Sequence, residues 1–223
     1  MADYIDRSIL CQAYIHILEP GIEPSEFDRV REVIRAFAQE RGRHFLYGDV
    51  DAEVEFLPGS LKVKVTFLGK LTALILAYGA LRGGVDYIIK DVKRIADTVS
   101  TESLFQAKGK SEDVLRIENR SGVVGTLKRI SDGANWLEEN NGRVSQAEMH
   151  EKIVELRKQV ERLSGTLRGE EDREFVSDEV SELLEGQLPN TPQRPGGSPP
   201  DPEAIDLYAR ERRRLIEIVE EEM

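Results

Sequence analysis

Apolar and polar residues alternate between Ser8 and Leu18, with the period of a half-buried β-strand. After a turn at residues 19–21, the apolar residues repeat every three or four positions, which predicts a helix. Ser25 is the expected N-cap of this helix, and Gly42 is the glycine expected just beyond its C-terminal end. The apolar residues of the strand are Ile9, Cys11, Ala13, Ile15 and Ile17, and those of the helix are Phe27, Val30, Val33, Ile34 and Phe37.

Two further alternating segments flank the Pro-Gly pair at residues 58–59 and predict a β-hairpin. A two-residue turn at this pair places Val54 opposite Val63, and it places Glu55 opposite Lys62. Every apolar residue then faces an apolar residue and every acid faces a lysine, at about 0.2–1 kcal/mol for each pair. A shift by one residue would remove all of these pairs. We therefore predict a charge-paired hairpin with one apolar and one charged face. Pro-Gly favours a type II turn, which splays a two-residue hairpin, so a somewhat longer loop is the alternative.

A single long helix is predicted from Leu71 to Val99, because its apolar residues repeat every three or four positions. Its other face carries small residues, among them Gly79 and Gly83. Small residues allow another backbone to come close, and a glycine inside a helix costs about 1 kcal/mol relative to alanine. We expect another helix to pack against this face and to compensate that cost.

The predicted order of strand, helix, two strands and long helix defines a small α+β domain over residues 1–100. We expect a three-stranded sheet with helices on one face. The second half of the chain, in contrast, contains only helical patterns. The predicted fold class is therefore α+β, followed by a helical and partly coiled-coil C-terminal half.

A capping box and a heptad repeat predict a helical hairpin or coiled-coil arm over residues 111–186. Ser145 and Glu148 have the spacing of the capping box. The apolar residues that follow alternate at steps of four and three over three heptads, which is the pattern of a coiled-coil seam. The residues of this seam, predicted to contact a partner helix or a second copy, are Met149, Ile153, Leu156, Val160, Leu163 and Leu167.

Residues 187–202 are rich in proline, glycine and serine and are predicted to be a linker. Residues 203–223 beyond it predict an amphipathic helix, with Tyr208, Leu215 and Val219 on its apolar side. Amphipathic helices often bind in a groove of a partner, and a flexible tether raises the effective concentration of such a helix. The sequence therefore predicts that this helix docks onto a protein partner.

Composition narrows the possible functions of this 223-residue chain. Its net charge of −11 makes nucleic acid an unlikely partner. Its one cysteine, Cys11, lies on an apolar strand face and excludes an intrachain disulfide. The three histidines have no metal-ligand spacing, and the common nucleotide, hydrolase and metalloprotease motifs are absent. We assign no catalytic residue, cofactor or metal. The N-terminus has no signal-peptide pattern, so we expect a cytoplasmic protein.

Two stretches of the chain resemble a family of uncharacterised bacterial proteins. The stretch at residues 78–91 resembles the family pattern Y-G-x-x-R-x-G-[IV]-D-Y, and the stretch at 116–130 resembles R-x-E-x-R-x-G-V-x-G-x-[IL]-x-R. The resemblance covers about the middle third of the chain and implies a bacterial cytoplasmic setting, two candidate surfaces and no reaction. The matching residues are Tyr78, Gly79, Arg82, Gly84, Asp86, Tyr87, Arg116, Glu118, Arg120, Gly122, Val123, Gly125, Leu127 and Arg129.

The charged residues in the two stretches are candidates for a polar network. Arg82 and Asp86 are four residues apart on a predicted helix and have the spacing of an ion pair. Arg116, Glu118 and Arg120 alternate in sign in the later stretch. We expect these five residues, with Gly79 and Gly83, to form a docking surface rather than a catalytic site.

The favoured function is a non-enzymatic interaction or assembly subunit of a bacterial multiprotein system, with protein partners and self-association. One alternative is a membrane-associating effector of a bacterial defence or stress system that uses the helix at residues 71–89. Membrane insertion is less favoured, because the apolar run between Lys70 and Arg82 is too short to span a bilayer. A metal-dependent hydrolase or nuclease is the third alternative.

Overall fold

A computed structural model describes residues 7–47, 49–57, 61–196 and 199–223. The turn predicted at residues 58–59 lies outside these ranges. The helices and strands, in chain order, are β1 (Ser8–Ile17), α1 (Phe27–Phe45), β2 (Asp51–Leu57), β3 (Leu61–Gly69), α2 (Leu71–Ala77), α3 (Leu81–Gln106), β4 (Val114–Arg120), α4 (Gly122–Asn140), α5 (Gln146–Thr166), α6 (Glu170–Gln187) and α7 (Pro202–Glu222).

The chain forms two compact units. The first comprises Met1–Gly79 and Gly84–Gly125, and the second comprises Ala80–Gly83 and Thr126–Met223. The first unit contains the whole sheet, and the second consists of helices and their connections. The predicted class, an α+β fold followed by a helical half, is therefore confirmed.

Within the described residues, the sheet has four antiparallel strands in the order β2-β3-β1-β4, where the sequence predicted three. The additional strand is β4, which pairs with β1. Its residues are all exposed or only partly buried, so it has no continuous apolar pattern to indicate a strand. The β-α-β-β-α-β order with this strand arrangement is the split β-α-β connectivity of ferredoxin-like domains.

Strand β1 lies at the centre of the sheet and is confirmed from Cys11 to Ile17. The prediction was wrong for Ile9, because a register shift between Ile9 and Cys11 leaves Ile9 43% exposed and buries Leu10 instead. Cys11, Ala13, Ile15 and Ile17 are at most 2% exposed and form the middle of its apolar face. Their partners in β3 are also apolar, because residues directly opposite each other in an antiparallel pair lie on the same face. Helix α1 packs against β2 and β3, and the ring of Phe27 meets that of Phe56 edge to face at 5.7 Å.

The hairpin of β2 and β3 has a register two residues away from the predicted one. Val54 lies opposite Val65 rather than Val63, and Glu55 lies opposite Lys64 rather than Lys62. A shift of two residues keeps each side chain on its predicted face, so alternation alone cannot distinguish the two registers. The prediction was wrong about the partners and correct about the faces.

Helix α1 was predicted correctly in its centre and wrongly at both ends. It begins at Phe27, after a short 3-10 turn in which the backbone N–H of Glu23 donates to Glu26 at 3.1 Å. Ser25 is therefore not the N-cap. Gly42 lies inside the helix, where a Cβ atom would be 3.0 Å from Val50 Cγ1. Close packing, rather than helix termination, explains the glycine.

The predicted long helix is two helices, α2 and α3, that meet at an angle of 103°. Gly79 lies between them with φ 92°, a conformation that glycine adopts without strain. The spacing of apolar residues continues across the break and therefore does not reveal it. The expected packing of a helix against the glycines is also wrong, because a Cβ atom at Gly79 or Gly83 would have no neighbour within 4 Å.

In the second unit, helix α5 begins with the predicted capping box. The N–H of Ser145 donates to Glu148 at 2.9 Å, and the N–H of Glu148 donates to the Ser145 hydroxyl at 3.2 Å. Helix α7 packs along α5, and the Arg157 Nε atom lies 2.6 Å from a carboxylate oxygen of Glu211. The second unit is thus a set of packed helices, and the C-terminal helix α7 packs against the others of the same chain.

Candidate functional site

Polar side chains from all four strands occupy one face of the sheet. The strand register explains this grouping: Tyr14 lies opposite Lys64 in β3 and opposite Glu118 in β4. Because side chains alternate along a strand, the neighbours two positions away lie on the same face. We name this set the polar sheet face. Its residues are Gln12, Tyr14, His16, Glu53, Glu55, Lys62, Lys64, Thr66, Arg116, Glu118 and Arg120.

Ion pairs and hydrogen bonds connect the strands across this face. The Glu118 carboxylate forms ion pairs with Arg116 and Arg120, and the Arg120 Nη2 atom lies 3.1 Å from its Oε2 atom. The side chain of Glu118 is 22% exposed, whereas the two arginines are 65% and 68% exposed. Lys64 Nζ lies 3.3 Å from Glu55. The Glu118 carboxylate is thus held close to the sheet, and the two arginines extend into solvent.

A shallow depression lies at the β4 end of the polar sheet face. Its lining includes three cationic side chains, from Lys64, Arg116 and Arg120, and one carboxylate, from Glu118. Gln12 and Tyr14 complete the lining. The depression is therefore locally basic although the whole chain carries a net charge of −11. Such a surface suits an acidic or hydrogen-bonding protein segment.

Strand β4 also presents apolar side chains to solvent. Leu115 is 61% exposed and Ile117 is 52% exposed. Asn119, in the same strand, donates from Nδ2 to Asp97 of α3 at 2.6 Å, which ties the end of β4 to that helix. An edge strand with exposed apolar residues is a known template for pairing with another chain. The feature that distinguishes this sheet is thus its uncovered β4 edge.

The structure brings together only some of the residues of the predicted polar network. Arg116, Glu118 and Arg120 are adjacent on β4 in the first unit. Arg82 belongs to the second unit, where its Nη1 atom lies 3.8 Å from the Cβ position of Gly186. Asp86 lies in α3 within the first unit. The β4 triad is therefore the part of the network that forms a site on the sheet.

The heptad seam does not form an exposed surface. Each of its six residues is at most 2% exposed, and Leu167 follows the last residue of α5. The apolar residues of α7, Tyr208, Leu215 and Val219, are likewise at most 2% exposed. An apolar stripe needs a partner face, and here helices of the same chain supply it. The prediction that these residues present a surface for another chain is wrong for this structure.

The predicted linker is held against the helices rather than released as a tether. Gln146, which is 6% exposed, donates from Nε2 to the carbonyl of Pro192 at 2.8 Å. Its Oε1 atom accepts from the N–H of Asp201 at 2.8 Å. The Tyr208 hydroxyl donates to the carbonyl of Pro189 at 3.0 Å. These hydrogen bonds fix both ends of the segment that joins α6 to α7.

Candidates for chemistry are few in the part of the chain that the structure describes. These residues contain no group of three or more His, Cys, Asp or Glu side chains that could hold a metal ion. Cys11 is fully buried, and burial raises the pKa of its thiol, which opposes a nucleophilic role. His16 lies on the polar sheet face, His44 near the end of α1, and His150 on α5.

Among the described residues, no single helix is long and apolar enough to cross a membrane. The pair formed by α2 and α3 meets these criteria of length and composition only when taken together, across its 103° bend. The apolar residues Leu71, Leu74 and Ile75 of α2 are at most 1% exposed in the folded chain.

Two signals could have found the site from the sequence. Residues 116, 118 and 120 alternate in charge with a period of two, which is compatible with a strand. Gln12 and His16 occupy the alternate positions of β1, so they face away from its apolar side. The missing fact was that β4 pairs with β1, because a pairing between distant segments leaves no local pattern.

Comparison of the chain with known proteins identifies no relative. No protein-family model, no curated protein and no solved structure matches the chain. The fold and the site therefore define the class only as an α+β domain with an open sheet edge, followed by a mainly helical half.

Proposed function

We propose that this protein is a non-enzymatic interaction or assembly subunit that binds protein through its β4 edge and the adjoining polar sheet face. The observation that supports this proposal most directly is the state of β4. All seven of its residues are exposed or only partly buried, and charged residues alternate with Ile117 and Asn119 from Arg116 to Arg120. An edge of this kind binds another strand through its main chain, and its alternating side chains provide selectivity.

The rest of the molecule supports a binding role more than a catalytic one. The depression beside β4 is open and lined by ion-paired side chains rather than by a nucleophile and a base. Its arginines are highly exposed, so they can exchange the contact with Glu118 for contacts with a partner at little cost. The helical second unit then serves as a structural part of the subunit.

The cellular setting remains part of this proposal. A bacterial cytoplasmic setting follows from the resemblance of residues 78–91 and 116–130 to a bacterial family. Membership of that family stays a prediction. The proposed interaction surface differs from the one predicted by the heptad pattern, because the seam residues are buried within the chain.

Site-specific photocrosslinking in living bacteria tests the proposal. A photoreactive phenylalanine analogue replaces Leu115 on β4, and a matched control replaces Leu76 on α2; both leucines are 61% exposed. We expect discrete crosslinked species from position 115 and far fewer from position 76. An absence of discrete species at position 115, or equal yields at both positions, would contradict the proposal. Mass spectrometry of each species then identifies the bound chain.

A second candidate function is membrane association, which is favoured only by the bent pair of α2 and α3. This role requires α2 to leave the core, since three of its leucine and isoleucine side chains are buried. Liposome flotation tests it with the wild-type protein alone and with crosslinked partners. Recovery of all protein in the lipid-free fraction under both conditions eliminates this candidate.

A further inference from the structure

We infer that the partner of the β4 edge is β4 of a second copy of this chain. The two strands pair antiparallel about a two-fold axis at Ile117, the middle residue of the seven-residue strand. The two four-stranded sheets then form one continuous eight-stranded sheet, since β4 is the last strand in the order β2-β3-β1-β4. This inference rests on the proposed function and names the partner of the same site.

The two edges of the sheet differ in their cover. At the β2 edge, the Arg7 guanidinium contacts Asp51 and lies 2.9 Å from Asp49, and Gln39 donates to Asp51 at 3.3 Å. At the β4 edge, Leu115 and the residues beside it are exposed, as described above. Edge strands that avoid pairing are usually covered, charged, very short, or interrupted by proline or a bulge. Strand β4 contains no proline, but it has three charged side chains, and its pairing with β1 shifts register between Val114 and Arg116. Self-pairing therefore uses the regular part of the strand, Arg116–Arg120, and depends on how its charges match.

Charge complementarity selects the two-fold register. With Ile117 opposite its own copy, Arg116 lies opposite Glu118 of the second copy, and Glu118 lies opposite the second Arg116. Directly opposite residues of an antiparallel pair share a face, so both ion pairs form on the polar sheet face. On the other face, Ile117 meets Ile117 of the second copy. The pairs between residues 116 and 118 lie in the regular part of β4, beyond the register shift at Leu115.

Neighbouring registers with the same symmetry are disfavoured by like charges. A shift of two residues in the pairing in one direction places Glu118 opposite Glu118 and Arg116 opposite Arg120. A shift of two residues in the other direction places Arg116 opposite Arg116. Like charges directly opposite each other destabilise a strand pair. The alternating charges therefore permit self-pairing in the register centred on Ile117 and oppose the nearest alternatives.

Charge-reversal variants and their mixtures test this register. Arg116→Glu places two glutamates opposite each other in the dimer, and Glu118→Arg places two arginines opposite each other. Each single variant should raise the dimer dissociation constant at least about tenfold. An equimolar mixture of the two variants restores opposite charges at both pairs and should recover the dimer. The double variant with both reversals should also dimerise as the wild type does.

Sedimentation velocity and light scattering measure the association, and far-UV circular dichroism checks that every variant is folded. Arg120→Glu is the matched control, because Arg120 lies outside the pairs of residues 116–118 and faces no charged residue of the second copy in this register. The inference is overturned if the wild type is monomeric up to about 200 μM, well above a micromolar dissociation constant. It is also overturned if the single variants dimerise unchanged, if mixing does not restore the dimer, or if only Arg120→Glu dissociates it.

These outcomes separate the failure of this inference from failure of the proposed function. A monomeric protein that still crosslinks from position 115 to a different protein retains the proposed function and contradicts self-pairing. A protein that neither dimerises nor crosslinks from position 115 contradicts both. Crosslinks between two copies from position 115, together with restoration by mixing, support both.

Discussion

The substitution Gly122→Ala tests the junction of β4 and α4, where the chain passes very close to β1. Gly122 has φ 49°. A Cβ atom at this position would lie 2.1 Å from the carbonyl oxygen of Ile9 and 2.7 Å from that of Leu10. Both neighbours are backbone atoms of the central strand and cannot rotate away. The alanine variant must therefore move the main chain of β1 or of the junction itself.

The expected loss of stability combines two effects. The left-handed backbone conformation costs a residue with a Cβ about 1–2 kcal/mol, and overpacking of this severity costs about 1–3 kcal/mol. We therefore expect Gly122→Ala to lower the free energy of unfolding by about 2–5 kcal/mol. For a protein of this size, that corresponds to a fall in Tm of at least about 4 °C.

Gly83→Ala is a control for which we expect the opposite change in the free energy of unfolding. A Cβ atom there would have no neighbour within 4 Å, and the residue is helical. Gly83→Ala should raise the free energy of unfolding by about 0.4–1 kcal/mol, because alanine restricts the unfolded chain more than glycine does. Urea denaturation followed by far-UV circular dichroism measures both variants. If Gly122→Ala unfolds at the same urea concentration as the wild type, the close approach to β1 is wrong.

Three further predictions concern hydrogen bonds inside each unit. Tyr78→Phe removes the hydroxyl that donates to Asp91 at 2.6 Å and lies 3.1 Å from the Phe45 carbonyl oxygen, so urea denaturation should show a loss of about 1–3 kcal/mol. Gln146→Ala removes the hydrogen bonds to Pro192 and Asp201, so proteinase K should cleave the segment after α6 faster while α5 remains helical. The Ser145 N–H, followed by the Ser145 hydroxyl, holds the pKa of Glu148 below its usual value. Glu148→Gln should therefore be less stable than the wild type at pH 7, and this difference should shrink as the pH falls below the usual glutamate pKa and disappear once the wild-type carboxylate is protonated in the folded state.

Each of these three predictions has a result that contradicts it. Unchanged stability of Tyr78→Phe means that the hydroxyl is hydrated in solution. Equal cleavage rates of Gln146→Ala and wild type mean that the segment after α6 is not held by Gln146. A difference for Glu148→Gln that persists or grows at low pH reverses the expected sign, because a depressed pKa stabilises the fold only while the carboxylate is charged.

The heptad seam shows how a correct local pattern led to a wrong partner. The spacing of Met149, Ile153 and the apolar residues that follow correctly indicated one buried stripe on a helix. An apolar stripe on a helix indicates that an apolar surface packs against it. It does not indicate whether that surface belongs to the same chain or to another. Here α7 packs along α5. The segment between α6 and α7 is long enough to allow this, and Gln146 holds both of its ends.

The candidate site was partly visible in the sequence and partly not. Arg116, Glu118 and Arg120 were singled out, together with their alternating charge. Tyr14 and Lys64, which lie beside them, were not, because the pairing of β1 with β4 joins segments about 100 residues apart. Arg82 was grouped with the triad because the two family-like stretches were considered together, and the structure places it in the other unit.

The sequence by itself determined the class of each major element and the face that each element buries. Period-two alternation and three-to-four spacing follow from the geometry of a single strand or helix, so they can be read locally. This is why β1, the faces of the hairpin, the capping box of α5 and the apolar side of α7 were all correctly predicted.

Tertiary structure alone decided which faces meet. The two-residue difference in hairpin register, the fourth strand, the break at Gly79 and the intramolecular cover of the seam all depend on contacts between distant residues. Such contacts change the free energy of the folded state without changing the local period of the sequence. The uncovered β4 edge belongs to the same group, because a strand becomes an edge only when the whole sheet has been assembled.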